Sequence, residues 1–282
     1  MSRSDRLTVG PAVLLLLVYR GGMSQVAPNR STQYLHPTEV SDARALWVNP
    51  AGLALFPEAS LNLDVTVGDP GAKGRLRQFT LGLNSRGLSF GYQRDVFDGG
   101  VRGSTYRIGG AGGRKNFSAG AALALYRGGT SSSGWDFGVL YEWTPEFMVG
   151  GVIQDVGQPQ VRGILLPVTY VPGATLQLFQ HAAAVSALGR ITPDSVLGYA
   201  FGVRAKLRRG TSLPVGLAAR LDTDRSLHRA GFAFGFSIGG PDMAGLVATT
   251  PGDLGRVDAL SVYGVSTRRL TSSSRRLGSA GP

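Results

Sequence analysis

The 282-residue sequence contains no cysteine, so neither a disulfide nor a thiolate metal centre can hold this chain together. Without such staples, stability must come from burial and a complete backbone hydrogen-bond ladder. Histidine is nearly absent too: His36, His181 and His228 are the only three. None stands at metal-ligand spacing from another, and each reads as a loop or interface residue. Charged residues make up only 17% of the chain. Beyond residue 20 no apolar run approaches the twenty residues of a helical membrane span, which excludes a helical-bundle membrane protein.

Two stretches look like ligand loops but lack the residues the chemistry needs. Gly109-Gly110-Ala111-Gly112-Gly113-Arg114-Lys115 has Asn116 where a phosphate-cradling loop requires Ser or Thr, and a strand-like segment follows, so it reads as a flexible hairpin connection. Asp222-Thr223-Asp224 lacks the glycine and distal glutamate of a calcium loop and reads as a turn. The chain is therefore expected to be no enzyme, with no cofactor and no metal.

The formal net charge is +11. Residues 1–24 contribute +2 of it and residues 268–282 contribute +4, leaving an excess of five over the rest of the chain. So mild an excess, with no recognisable binding module, argues against nucleic acid as a partner. Arg3 and Arg6 precede an apolar run from Leu7 to Tyr19 that is too short to span, and Gly22-Met23-Ser24 supplies small residues for cleavage. Residues 1–24 therefore read as a secretory signal peptide. Residues 268–282, rich in Ser, Arg and Gly, read as a basic disordered tail.

What the sequence has in abundance is glycine, 42 residues, within a composition that is 43% apolar. From residue 58 to residue 267 apolar side chains recur with period two, the signature of a pleated strand. Leu61, Leu63, Val65 and Val67 alternate with Asn62, Asp64, Thr66 and Gly68. Trp135, Phe137, Val139, Tyr141 and Trp143 face one way, and Asp136, Gly138 and Glu142 face the other. Leu197, Tyr199, Phe201, Val203, Ala205 and Leu207 interleave with Gly198, Ala200, Gly202, Arg204, Lys206 and Arg208. On a helix those six apolar positions would surround the axis. The second face is dominated by Gly, Ala and Ser rather than charge, which disfavours a sandwich exposed to water. Turn signals such as Asp98-Gly99-Gly100, Thr144-Pro145 and Thr192-Pro193-Asp194 recur about every fifteen residues. The expected fold is all-β: a transmembrane antiparallel barrel of 12–14 strands in the bacterial outer membrane, with lipid as its surroundings. Arg107, Arg204, Lys206 and Arg220 fall on the inward face. They are candidate lumen charges, either paired with Asp64, Asp136, Glu142 or Asp222, or free to hold an anionic group.

Residues 25–57 do not alternate. Ser41 could cap a short helix that Pro50 ends near Val48, and the apolar side chains around it would need burial in a barrel lumen. Here Asp42-Ala43 precedes Asn49-Pro50-Ala51, with seven residues from Asp to Asn. That pattern resembles the entry to the barrel in the outer-membrane family of long-chain fatty-acid transporters (FadL-type) and its PorV/PorQ-like relatives. The resemblance implies fourteen strands, an N-terminal plug, and a porin-like transport role for small hydrophobic or amphipathic molecules. For the PorV-like branch it implies docking of a periplasmic or secreted protein partner instead. A channel with a hydrophobic ligand and a non-transporting anchor or docking barrel both remain open.

Overall fold

The computed structural model describes residues 26–55, 58–68, 74–128, 130–207, 213–250 and 256–269. The expected signal peptide, most of the expected tail, Arg208 and the turn at Asp69-Pro70-Gly71 lie outside the described residues. Among the described residues, fourteen strands form one closed antiparallel barrel. In chain order they are β1 (Glu58–Gly68), β2 (Arg75–Ser85), β3 (Leu88–Val96), β4 (Arg102–Arg114), β5 (Phe117–Gly128), β6 (Thr130–Thr144) and β7 (Phe147–Val156). A small separate hairpin, β8 (Gln160–Val161) with β9 (Ile164–Leu165), follows. The second half is β10 (Thr169–Leu178), β11 (Ala183–Ile191), β12 (Val196–Leu207), β13 (Val215–Asp224), β14 (Arg229–Gly239), β15 (Asp242–Thr250) and β16 (Ala259–Arg269). The count resolves the expected 12–14 at its upper value. The irregular stretch between Gly157 and Leu188 contains one full crossing, β10, and most of a second, β11, besides the hairpin. Closure comes from β1 against β16, in register from Glu58↔Arg269 to Gly68↔Ala259.

The barrel is apolar outside and polar inside. On β1, Leu61 and Leu63 are 42% and 44% exposed, whereas Asn62, Asp64 and Thr66 are at most 1% exposed. Phe137, Val139 and Tyr141 point outward in the same way, and Trp135 and Trp143 end that row. Eight residues separate the two tryptophans. At a rise of about 3.4 Å and a tilt of about 40° they stand roughly 20 Å apart along the barrel axis, near the height of a lipid-facing band.

The barrel's two ends differ. Connections of two residues join β2 to β3, β4 to β5, β6 to β7 and β14 to β15 at the end where β1 begins and β16 finishes. At Arg86-Gly87 both residues have positive φ, 51° and 85°, the geometry of a tight hairpin that follows the twist of its strands. The opposite end carries the longest connection, from Val156 to Thr169 with the β8–β9 hairpin in it.

Three boundaries differ from expectation. The Gly109–Arg114 run is strand, not a flexible connection: Gly110 pairs with Ala121 and Arg114 with Phe117, so the turn shrinks to Lys115-Asn116. Asp222 lies within β13, and Asp224 closes the turn by accepting from the backbone N–H of Ser226 at 2.8 Å and of His228 at 2.9 Å. β16 continues past residue 267, because Arg268 is held by Asp242 at 2.7 Å; Arg268 and Arg269 belong to the wall and not to a tail.

The core lies where the plug meets the wall. Residues 26–55 fill the lumen, and Tyr34, Leu35, Val40, Leu46, Trp47 and Leu53 are buried against Ala122, Ala233, Val247, Tyr263 and Val265. Helix α1 (Ala45–Val48) and a 3-10 turn (Pro50–Ala54) sit in this segment. The helix ends at Val48 as expected, since Asn49 before the proline is extended. Ser41 is not its cap; the first turn instead starts from the Asp42 carbonyl, which accepts from Ala45 N–H at 2.8 Å.

The inward glycines are the seat of this plug. A Cβ on Gly91 would stand 2.9 Å from both Leu46 and Trp47 side-chain carbons, and one on Gly120 would stand 2.6 Å from the Pro50 carbonyl carbon. Gly138 and Gly202 lie as close to Asn49 and His36. Gly120→Val or Gly91→Val should therefore destabilise the refolded barrel by about 1–3 kcal/mol. Gly112→Ala, which has open space around it, should leave the melting midpoint unchanged. Thermal melts in detergent measure both.

Candidate functional site

The lumen site begins with the plug motif. Asn49 accepts from Ala51 N–H through Oδ1 at 3.1 Å and so caps the 3-10 turn that Pro50 starts. Its amide donates to Pro37 O at 3.1 Å and to Val139 O on β6 at 3.4 Å. One side chain thus fixes the turn, the preceding loop and the wall. Ala51 is fully buried, as is Ala43, which lies 3.6 Å from a Cβ placed on Gly82. Larger side chains would not fit there.

Asp42 and Arg44 form a buried pair at 2.7 Å. Arg44 also donates to Tyr34 Oη at 2.9 Å and lies 5.2 Å above the Tyr263 ring, and the two tyrosine hydroxyls meet at 3.0 Å. Burial alone would disfavour the Asp42 carboxylate. The adjacent Arg44 guanidinium outweighs it and holds Asp42 below the usual carboxylate range. Burial raises the Tyr34 phenol well above its ordinary value. Within the plug, sequence reasoning found Asp42 but missed Arg44 and Tyr34, because a segment without periodicity gives no sign of which side chains point inward.

The four candidate lumen charges separate into two groups. Arg107 pairs with Asp136 at 2.6 Å, donates to Leu46 O of α1 at 3.1 Å, and stacks over Trp47. Arg220 pairs with Asp222 at 2.7 Å and donates to Leu35 O at 2.8 Å. Both are neutralised by wall carboxylates and donate a further N–H to a plug carbonyl. Arg204 and Lys206 instead line a cavity of about 910 Å³ at the short-turn end, with Tyr34, Val40, Met243 and Val265 among its other walls. A second cavity of about 440 Å³ at the opposite end is lined by Arg30, Arg77, Arg162, Asp95, Asp98 and Asp258. The plug lies between, and the two cavities share no lining residue.

His36 is nearly fully buried, its ring lies against Gly202, and neither ring nitrogen has a partner among the described residues. Burial, reinforced by Arg220, Arg190 and Arg204, pushes its pKa down to about 3. His181 and His228 lie in turns, His228 beside Asp224 at 3.3 Å. Among the described residues, no three His, Asp or Glu side chains gather as a metal site would require.

No protein-family model and no curated protein matches this sequence. The fold does have solved counterparts. It is similar to the CymD monoaromatic hydrocarbon channel, with 12% identity, 88% of this chain and 98% of that chain covered, and a TM-score of 0.57. A Pseudomonas aeruginosa FadL homologue matches at 12% identity and a TM-score of 0.46, with 87% and 98% coverage. A TodX deltaS2S3 mutant monoaromatic hydrocarbon channel matches at 11% and 0.48, with 80% and 94% coverage. The likeness to CymD is one of fold: the closed antiparallel β-barrel of this chain has the architecture of that channel.

Arg107→Met would leave Asp136 buried without its partner and should cost about 3–5 kcal/mol. The double change with Asp136→Leu should recover much of that loss in the same denaturation experiment. His36 carries a distinct pH signature. Its folded pKa lies below the ordinary 6.5, so its contribution is complete above about pH 6.5 and declines as pH falls toward 3, where the unfolded chain takes up the proton first. His36→Leu should flatten the fall in melting midpoint between pH 7 and pH 4.

Proposed function

We propose that this barrel is a passive outer-membrane channel for small hydrophobic or amphipathic molecules, oriented with its short-turn end toward the periplasm. The observation that carries the reading is the cavity of about 910 Å³ at that end. Its wall joins apolar side chains from the plug, β15 and β16 to the cationic Arg204 and Lys206 of β12. A purely aqueous pore would have no use for Val40, Met243 and Val265 at its wall, and a sealed anchor would have no use for the space. The orientation follows the rule that outer-membrane barrels turn tightly on the periplasmic side. The likeness to CymD, whose name specifies monoaromatic hydrocarbons, supports an apolar permeant.

In this mechanism the plug is the gate. Its contacts with the wall are specific hydrogen bonds, among them the carbonyls of Leu46 and Leu35 on Arg107 and Arg220, the Asn49 amide on Val139 O, the Thr38 hydroxyl on Thr175 at 2.6 Å, the Asn29 amide on the Thr80 hydroxyl at 2.9 Å and Arg30 on Asp258 at 2.7 Å. Displacing the plug would break these side-chain contacts and join the two cavities while leaving the barrel's ladder closed. The second reading, a non-transporting anchor for a periplasmic partner, is favoured by one feature: the plug keeps the two cavities apart.

Uptake distinguishes the two. Proteoliposomes containing the mature barrel should accumulate toluene or a short-chain amphiphile faster than empty vesicles, and Gly120→Val, which crowds the plug, should change that rate several-fold. Equal uptake with and without the barrel would remove the channel reading and leave the anchor.

A further inference from the structure

The lipid-facing side of β3, β4 and β5 ends in charge. Along β3 the outward positions are Leu88, Phe90 and Tyr92, and the next is Arg94, while Gln93 and Asp95 are buried on the lumen side. Toward the same long-connection end, the outward set on β4 is Ile108, Tyr106, Ser104 and Arg102, and on β5 it is Leu123, Leu125 and Arg127. Register sets these side by side. Arg94 stands opposite Ser104, Ser104 stands opposite Arg127, and Arg102 lies two residues beyond Ser104 on β4. With neighbouring strands about 4.8 Å apart, the three arginine α-carbons surround Ser104 within about 10 Å of one another.

This row is oriented but not neutralised. Arg94 donates to Ser104 Oγ at 2.8 Å, and Arg127 donates to Tyr126 O at 2.9 Å. Among the described residues none of the three forms an ion pair, and no Asp or Glu stands on the outer face of β3, β4 or β5. The lumen arginines differ, since Arg107 and Arg220 each have a carboxylate. Directly below the row, the Tyr92 and Tyr106 rings meet at 5.2 Å between centroids, and Phe90, Ile108 and Leu123 follow in register. Aromatic rings above an apolar row, with cations beyond them, mark a membrane boundary.

Three cations at that boundary without a carboxylate call for an anion from outside the chain, and a lipid headgroup is what the position meets. We propose that Arg94, Arg102 and Arg127 bind the phosphate groups of lipid A, the phosphorylated glycolipid of the outer leaflet, whose acyl chains then lie along Phe90, Ile108 and Leu123. The side-chain chemistry fits phosphate. All three cations are arginine, whose planar fork of donors meets phosphate oxygens two at a time, and the Arg94 fork is already turned toward Ser104. The choice of leaflet rests on the orientation proposed above, with the short turns toward the periplasm. It is independent of what the channel passes.

Two experiments test the site and its leaflet separately. In the first, the mature barrel refolded in zwitterionic detergent is titrated with diphosphoryl lipid A or phosphatidylglycerol, and bound lipid is counted by native mass spectrometry. Lipid A should bind more tightly than phosphatidylglycerol, and Arg94→Gln, Arg102→Gln and Arg127→Gln combined should weaken it roughly ten- to a hundredfold. Each single change should give a smaller loss, which keeps the test open if the triple variant fails to fold. Removing equal charge from the opposite end of the same strands, by Arg86→Gln, Arg114→Gln and Lys115→Gln, should leave binding unchanged. Equal weakening by both triple variants, no weakening by either, or lipid A held no more tightly than phosphatidylglycerol would overturn the proposal. In the second, Ile164→Cys places the chain's only cysteine on the exposed β8–β9 hairpin, and intact cells are treated with a membrane-impermeant maleimide. Labelling puts the arginine row at the outer leaflet. Labelling only after permeabilisation would reverse the orientation and overturn lipid A as the ligand, while the first experiment still reports whether the row binds phosphate.

Discussion

The rest of this structure depends on closure of the backbone hydrogen-bond ladder. In hydrocarbon an unpaired N–H or C=O has no water to turn to, so a sheet can face lipid only when its first and last strands meet. β1 and β16 pair over eleven positions, from Glu58 to Gly68, and no edge of the barrel is left open. With the backbone satisfied in the wall, side chains are free to invert the usual arrangement. Leucine, phenylalanine and tryptophan face outward, and asparagine, threonine, aspartate and arginine face in.

Inversion creates a second problem, which the plug solves. A lumen lined with polar groups and small residues needs either water or protein to fill it, and each inward charge needs a partner. Arg107 and Arg220 meet both needs at once. Each is neutralised by a carboxylate on the wall and donates a further N–H to a plug carbonyl. The arginines that look like ligand sites on a strand diagram are therefore mainly fasteners. Arg204 and Lys206, nearer the short-turn end, line the larger cavity.

Glycine links the two problems. Where the plug approaches most closely, at Gly91, Gly120, Gly138 and Gly202, the wall has no Cβ. The strands contribute backbone hydrogen bonds and nothing else, and the plug's Leu46, Trp47, Pro50, Asn49 and His36 occupy the volume the missing side chains leave. Abundant glycine in a strand-rich chain would ordinarily weaken it. Here the cost is offset by packing between two parts of one chain. The Asn49-Pro50-Ala51 turn fits because asparagine caps it, proline starts it and alanine is small enough for the wall.

Period-two alternation was enough to establish strands, their inward and outward faces, membrane burial and an approximate strand number, because the pleat places alternate side chains on opposite faces regardless of what surrounds them. The composition of the inner face argued against a water-exposed sandwich, and the plug was expected only from the family resemblance carried by the Asp42 to Ala51 pattern. Local sequence could not set what depends on distant chain segments. The glycine run from Gly109 continues as strand because Leu46 and Ala121 pack against it, and Asp222 stays in β13 because Arg220 and Arg190 hold it. Which arginines are paired and where the cavities lie were decided by tertiary structure. Those properties follow from side chains up to 229 positions apart meeting in one lumen, and no short-range pattern records such meetings.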